Sequence, residues 1–318
     1  MWVAIICGLL IYKLFRLCFS DDDNILDVET TDSNAILSVA TRLEKLYGGK
    51  VYVGLRIPDT DTGSRQNIDM VLITKREAVV ISVLNVSGFV SINANRSWVS
   101  TSDKTVPDPV AEVKWQVAVL ESYLEQRGAD VPEGYLSCRV VCPNPNFRAI
   151  HSDNFPSEVI SYEQWIQLKP EPKSRFSDWI KGAFHGGKKE IQEAIHQNLH
   201  FILRTAPTWD RLELKGNKCI FGEFLEFKGK QDDMQSLRDI RRSKISRMII
   251  QKTSMFGLAH SKLQVLYTPR DYRNEGSSSS EWNEVTVRSS TEVLFQPQNS
   301  TKVRKFKLSS IVSMSLSA

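Results

Sequence analysis

The sequence predicts an α/β protein: a mixed sheet flanked by helices, followed by a small antiparallel β domain. Between residues 34 and 142, helix-type repeats and apolar strand-type runs follow in the order helix, strands, helix, strand. From Leu212 onward the texture changes to alternating runs, LEL, CIFGEFLEF, ISRMII, LQVLY, VTVRSSTEVLF and VRKFKLSSIVSMSL, with turns such as Lys215-Gly216-Asn217-Lys218. Residues 169–187 collect Pro170, Pro172, Gly182, Gly186 and Gly187, the composition of a linker.

Residues 2–12 are unbroken apolar sequence apart from Gly8, and Leu14, Phe15, Leu17, Cys18 and Phe19 extend the run around Lys13 and Arg16. Residues 2–19 are expected to be an uncleaved membrane anchor with both cations snorkelling. Cations on its C-terminal flank would put the body in the cytosol. A membrane-surface helix, with Cys7 or Cys18 acylated, is the other reading. Residues 20–33 are acidic and read as a tether.

A helix should follow, with Asp32 or Ser33 as N-cap and Ile36, Val39, Ala40, Leu43, Leu46 and Tyr47 on its apolar stripe, ended by Gly48-Gly49. Residues 50–56 read as a strand and 57–66 as a turn-rich loop. Residues 68–74 and 78–85 are two apolar strands around the turn Lys75-Arg76-Glu77, and a third follows Ser87-Gly88. Pro107 and Pro109 introduce a helix to Arg127 with Val110, Val113, Val117, Leu120 and Leu124 on one face. Residues 137–142 give one more strand. The expected divisions are an anchor (1–19), a tether (20–33), an α/β domain (34–168), a linker and helix (169–207) and a β-rich domain (208–318).

Composition bounds the function only loosely. The 318 residues are 41% apolar and 25% charged, with a formal charge of +4, too mild to imply nucleic-acid binding by itself. Cys138 and Cys142 share a strand face about 13 Å apart, a spacing that suits neither a disulfide nor a zinc site.

Local signals point to several chemistries. Residues 182–189 have the glycine and lysine spacing of a phosphate loop but carry Lys189 where Ser or Thr should hold magnesium. His196 and His200 lie one helical turn apart with Glu193 nearby, a spacing that could bind a transition metal or simply sit on a solvated helix. Arg238, Arg241, Arg242, Lys244 and Arg247 form a basic run that could follow the phosphates of nucleic acid or anionic lipid, echoed by Lys302, Arg304, Lys305 and Lys307. Asp69 is the one acidic residue in its apolar strand. Metal nucleases place an Asp on one strand and a Glu and a Lys two residues apart on the next, so that alternation turns both toward a shared Mg²⁺.

Residues 44–147 resemble the nuclease-related domain, NERD, a family grouped with the PD-(D/E)xK restriction-endonuclease-like fold. The motifs are GGKVYVGLRIPD, NIDMVLITKREAVVISVLNVSGFVSI, SWV and the helix bearing Trp115-Gln116. With its anchor and β tail the chain looks like a plant membrane-anchored member. The resemblance puts the family's catalytic positions on Asp69, Ser82, Leu84 and Gln116, with Asp69 as ligand of any Mg²⁺. The strand usually written I-E-x-K-N here reads Ile81-Ser82-Val83-Leu84-Asn85, so Ser replaces the metal-binding Glu and Leu the Lys. That loss would remove several kcal/mol of transition-state stabilisation. Three readings stay open: a degenerate site in a scaffold that binds nucleic acid, anionic lipid or protein; a Mg²⁺-dependent nuclease with a carboxylate recruited from Asp59 or Asp61; and a membrane tether for a protein partner.

Overall fold

The computed structural model describes residues 30–74, 77–101, 105–169, 189–252, 262–270 and 281–317. The expected anchor and the phosphate-loop-like stretch at 182–188 lie outside the described residues. Among the described residues, no helix is long and apolar enough to cross a membrane.

Helix α1 covers residues 30–47 and is already helical at Thr30, so Asp32 and Ser33 lie within its described part rather than capping it. Gly48 then turns the chain at φ 61°. Strands β1 (Lys50–Pro58), β2 (Arg65–Ile73) and β3 (Ala78–Val83) follow. Part of the expected 57–66 loop is therefore strand, because Ile57 pairs with Gln66 and Pro58 with Arg65. These strands join β7 (Leu136–Val141) and β9 (Val159–Ile160) in a sheet ordered β1-β2-β3-β7-β9, antiparallel from β1 to β3 and parallel from β3 to β9. The third expected strand, β4 (Gly88–Ile92), leaves this sheet. It instead joins β5 (Trp98–Ser100), β6 (Thr105–Val106) and β8 (Phe147–Ala149) in a four-stranded sheet, the chain turning at Gly88 with φ 90°.

Helices cover both faces of the first sheet, which is why β2 and β3 are nearly continuous apolar runs. On one side α2 (Pro109–Gln126) buries Val113, Leu120 and Leu124 against Val71, Ile73 and Val80. Helix α4 (Lys189–Thr205) adds Leu199, Ile202 and Leu203 to that same core, so the helix expected beside a linker packs with the first sheet. On the other side α1 sets Val39, Ala40 and Leu43 against Met70, Leu72, Val79 and Ile81. Trp165 of α3 (Tyr162–Gln167) closes that layer.

The C-terminal part is one eight-stranded antiparallel sheet, neither a closed barrel nor a sandwich among the described residues. Its members are β10 (Asp210–Leu214), β11 (Lys218–Lys228), β12 (Ile245–Lys252), β13 (Lys262–Pro269), β14 (Asn283–Arg288), β15 (Glu292–Pro297), β16 (Arg304–Lys307) and β17 (Ile311–Ser315). They run in the order β14-β13-β12-β17-β10-β11-β15-β16, and α5 (Gln231–Leu237) follows β11. Gly222 on β11 is required by its neighbour: a Cβ there would lie 2.2 Å from the Gln296 carbonyl oxygen.

The two sheets are stitched together at β1. The Arg56 N–H donates to the Pro207 carbonyl and the Trp209 N–H to the Gly54 carbonyl, each at 2.8 Å, and the Arg56 guanidinium sits 3.9 Å over the Trp209 ring. Phe221 of β11 is buried in the α1-side core, and its N–H donates to Ser33 Oγ at 3.3 Å. These contacts carry β11 to the edge of the Asp69 site.

Candidate functional site

The site forms where β3 parts from β2. Their pairing runs from Ile73 opposite Ala78 to Met70 opposite Ile81, so Asp69 lies one residue beyond the last pair. Past that point the chain keeps only its parallel neighbour β7, with the Leu84 N–H donating to the Val141 carbonyl at 2.9 Å. The Asn67 carbonyl is left to another donor. Gln116 Nε2 supplies it at 3.0 Å.

Gln116 is set there by a well-capped helix. Asp108 Oδ1 accepts from the N–H groups of Val110 and Ala111 at 3.0 and 3.1 Å, and Pro109 opens the first turn. One turn before Gln116, Glu112 shares its face, as i and i+4 residues do.

Asp69, Ser82, Leu84 and Gln116 line one cavity of about 230 Å³. The four positions implied by the resemblance therefore converge in space. Asp32 of α1, Glu112 of α2 and Asn85 line it as well, and Phe221 with the turn Pro297-Gln298-Asn299 brings the second sheet to its wall. Asp59 and Asp61 line a different cavity, against Trp115 and Ser122. Asp59 is also consumed by its own loop, accepting from the Asp61 N–H at 3.0 Å and the Thr62 hydroxyl at 2.8 Å. The carboxylates that neighbour Asp69 are thus Asp32 and Glu112.

The electrostatics are those of a carboxylate with few donors. Asp69 Oδ2 accepts from the Val83 N–H at 2.8 Å and from the Ser82 hydroxyl at 3.5 Å. Burial pushes its carboxyl up to about 6, Glu112 and Asp32 add to the rise, and the Val83 N–H opposes it. Asp32 is held away by Asn85, whose Nδ2 donates to Asp32 Oδ1 at 3.0 Å while its Oδ1 accepts from Asn144 Nδ2 at 2.9 Å. Gln116 is 4% exposed, and its Oε1 is buried without a partner among the described residues.

This all-oxygen donor set is of the hard type that suits Mg²⁺. Among the described residues, however, no three His, Cys, Asp or Glu groups stand close enough to hold an ion together. Asp69, with Asp32, Glu112 and Gln116 along the same wall, would be the residues to hold a Mg²⁺ ion that keeps most of its waters, and the ion would supply charge neutralisation at a phosphate. The missing lysine has no substitute in the cavity, whose remaining lining residues are uncharged.

The basic run is divided by the fold. Arg242 turns inward, its Nε 3.1 Å from Asp210 Oδ2 and its guanidinium also bonded to Glu223. Lys244 pairs with Asp239 at 2.7 Å. Arg238, Arg241 and Arg247 are exposed. The cysteines Cys138, Cys142 and Cys219 are buried and unbridged.

Sequence reasoning missed Asp32 and Glu112 as members of the site. Asp32 reads as a helix cap, and only the four-residue spacing of Glu112 and Gln116 signals that α2 presents a carboxylate beside the amide. Comparison of the chain with curated proteins and with solved structures returns no match. Residues 32–143 match the family model described as nuclease-related domain, NERD. That match spans most of α1, the β1–β3 hairpins, α2, β7 and every wall of the cavity outside the second sheet, so this part of the chain is similar to the nuclease-related domain family.

Proposed function

We propose that the chain is a NERD-domain binding or scaffold module whose Asp69 cavity is a degenerate nuclease site, held at a membrane by residues 2–19 with its body in the cytosol. One observation carries the reading: at the two chemical positions of β3 and its extension, Ser82 spends its hydroxyl on Asp69 and Leu84 lines the cavity with a hydrocarbon side chain. Neither group can neutralise charge on a transferring phosphoryl group, the term that dominates such catalysis. The partners favoured are anions, nucleic acid or anionic lipid, met through the exposed Arg238, Arg241 and Arg247, with a protein partner as the remaining class.

Converting Ser82→Glu and Leu84→Lys together tests the reading. The doubly changed protein should gain Mg²⁺-dependent cleavage of DNA or RNA over the unmodified chain. Robust cleavage by the unmodified chain would overturn the proposal.

A second reading, Mg²⁺-dependent hydrolysis, rests on Asp32 and Glu112 lining the cavity with Asp69. It requires Glu112→Gln to abolish an activity that the unmodified chain possesses. Membrane association is separable from both: protein lacking residues 1–19 should float with vesicles containing anionic lipid only if the arginine face contributes.

A further inference from the structure

The histidine pair on α4 lies outside the nuclease-related match and away from the Asp69 cavity. His196 Nε2 and His200 Nε2 are 3.1 Å apart, with their rings edge to face at 79°. Two imidazole nitrogens at that separation, each about 2.0–2.1 Å from a shared ion, would subtend roughly 100° at the metal. That angle falls between the square-planar and tetrahedral values that imidazole-binding ions adopt.

The second nitrogen of His200 is already committed. Tyr52 Oη lies 2.8 Å from His200 Nδ1 and donates to the His200 carbonyl at 3.2 Å. The phenol has one proton for these two contacts; with that proton on the carbonyl, the tyrosine oxygen accepts from Nδ1–H. This tautomer leaves the Nε2 lone pair of His200 facing His196. An oriented imidazole with its other nitrogen hydrogen-bonded is the usual support for a metal ligand. The charged groups bearing on this corner are Lys50, which is paired with Glu44 at 3.0 Å, and Arg204 beside Tyr52.

We infer that His196 and His200 form a two-imidazole site for a borderline transition-metal dication of the Zn²⁺, Ni²⁺ or Cu²⁺ class, with Tyr52 as its positioning residue and solvent at the remaining positions. Among the described residues no third His, Cys, Asp or Glu completes the set, and the side chain of Glu193 lies outside them. The site is open, and its nitrogen donors select against the Mg²⁺ that the Asp69 cavity suits.

The test is a titration of the detergent-solubilised full chain with Cu²⁺ and Ni²⁺, followed by calorimetry and, for Cu²⁺, by electron paramagnetic resonance. The unmodified chain should bind with a signature of two coordinated imidazole nitrogens. His196→Asn leaves the Tyr52–His200 bond in place and should weaken binding at least tenfold, reducing the signature to one nitrogen. Asp69→Asn should bind Cu²⁺ as the unmodified chain does, which separates this site from the cavity. Equal affinity of the His196→Asn variant and the unmodified chain, or a spectrum with no nitrogen coordination, would overturn the inference.

Discussion

Asp69 and Asp210 are both acidic residues on strands that line a core, and their surroundings are opposite. Asp210 is 0% exposed and fully served. Its carboxylate accepts the N–H groups of Phe224 and Ser317, each at 2.7 Å, and meets the Arg242 guanidinium at 3.1 Å, tying three separated segments of the second sheet together. Asp69 has one backbone N–H, one long hydroxyl contact and two carboxylates for neighbours along a cavity wall. The first is a fastener and the second is a site, and the count of donors separates them.

The largest effect should come from breaking the fastener. Asp210→Ala strands the buried N–H groups of Phe224 and Ser317 and leaves Arg242 with Glu223 alone, and should cost about 3–5 kcal/mol in denaturant unfolding, whereas Asp69→Ala should cost under about 1 kcal/mol. Comparable losses in both variants would erase the distinction.

The pH dependence tests the Asp69 side of it, since burial raises the Asp210 carboxyl as well. A folded-state carboxyl raised to about 6 means the folded chain holds its proton longer than the unfolded one, so the Asp69 contribution to stability is present below about pH 4 and lost as pH rises through 6. Asp69→Asn removes that loss. It should therefore be more stable than the unmodified chain at pH 8 by up to about 3 kcal/mol, at about 1.36 kcal/mol per pH unit, with the difference vanishing near pH 4. Thermal melts across that range would read it, and a difference independent of pH would contradict the assignment.

Adding the missing carboxylate alone should turn the site into a metal-dependent one. Ser82→Glu sets a second acid against Asp69 and should lower stability by about 1.4 kcal/mol for each pH unit by which the two raise one another. Mg²⁺ should restore that loss, and no stabilisation by Mg²⁺ would remove the cavity as a cation site. The smallest change is expected at Gln116→Met: the bond to Asn67 is lost, but so is the orphaned Oε1, so the two should cancel to within about 1 kcal/mol by chemical denaturation.

The hairpin of β2 and β3, the Pro109 start of α2 and the order helix, strands, helix, strand were all legible, because local periodicity and proline placement encode them; the Asp108 cap was not read. The four motif positions came from the resemblance: Asp69, Ser82 and Leu84 lie along two neighbouring strands and their extension, and Gln116 stands on α2. Less legible was the destination of β4, since a five-residue apolar strand does not name its partner sheet. The same holds for α4, whose apolar stripe shows that it packs but not against which core. Asp32, Phe221 and Asn299 reach the Asp69 cavity from 37, 152 and 230 residues away in the chain, and no spacing rule reaches that far.

The most direct test is the rate at which the unmodified chain cleaves labelled single- and double-stranded DNA and RNA with saturating Mg²⁺, set beside Asp69→Ala. The account predicts that the two are indistinguishable and remain at background, because no cation replaces the lysine at Leu84. Cleavage by the unmodified chain that disappears in Asp69→Ala would contradict it.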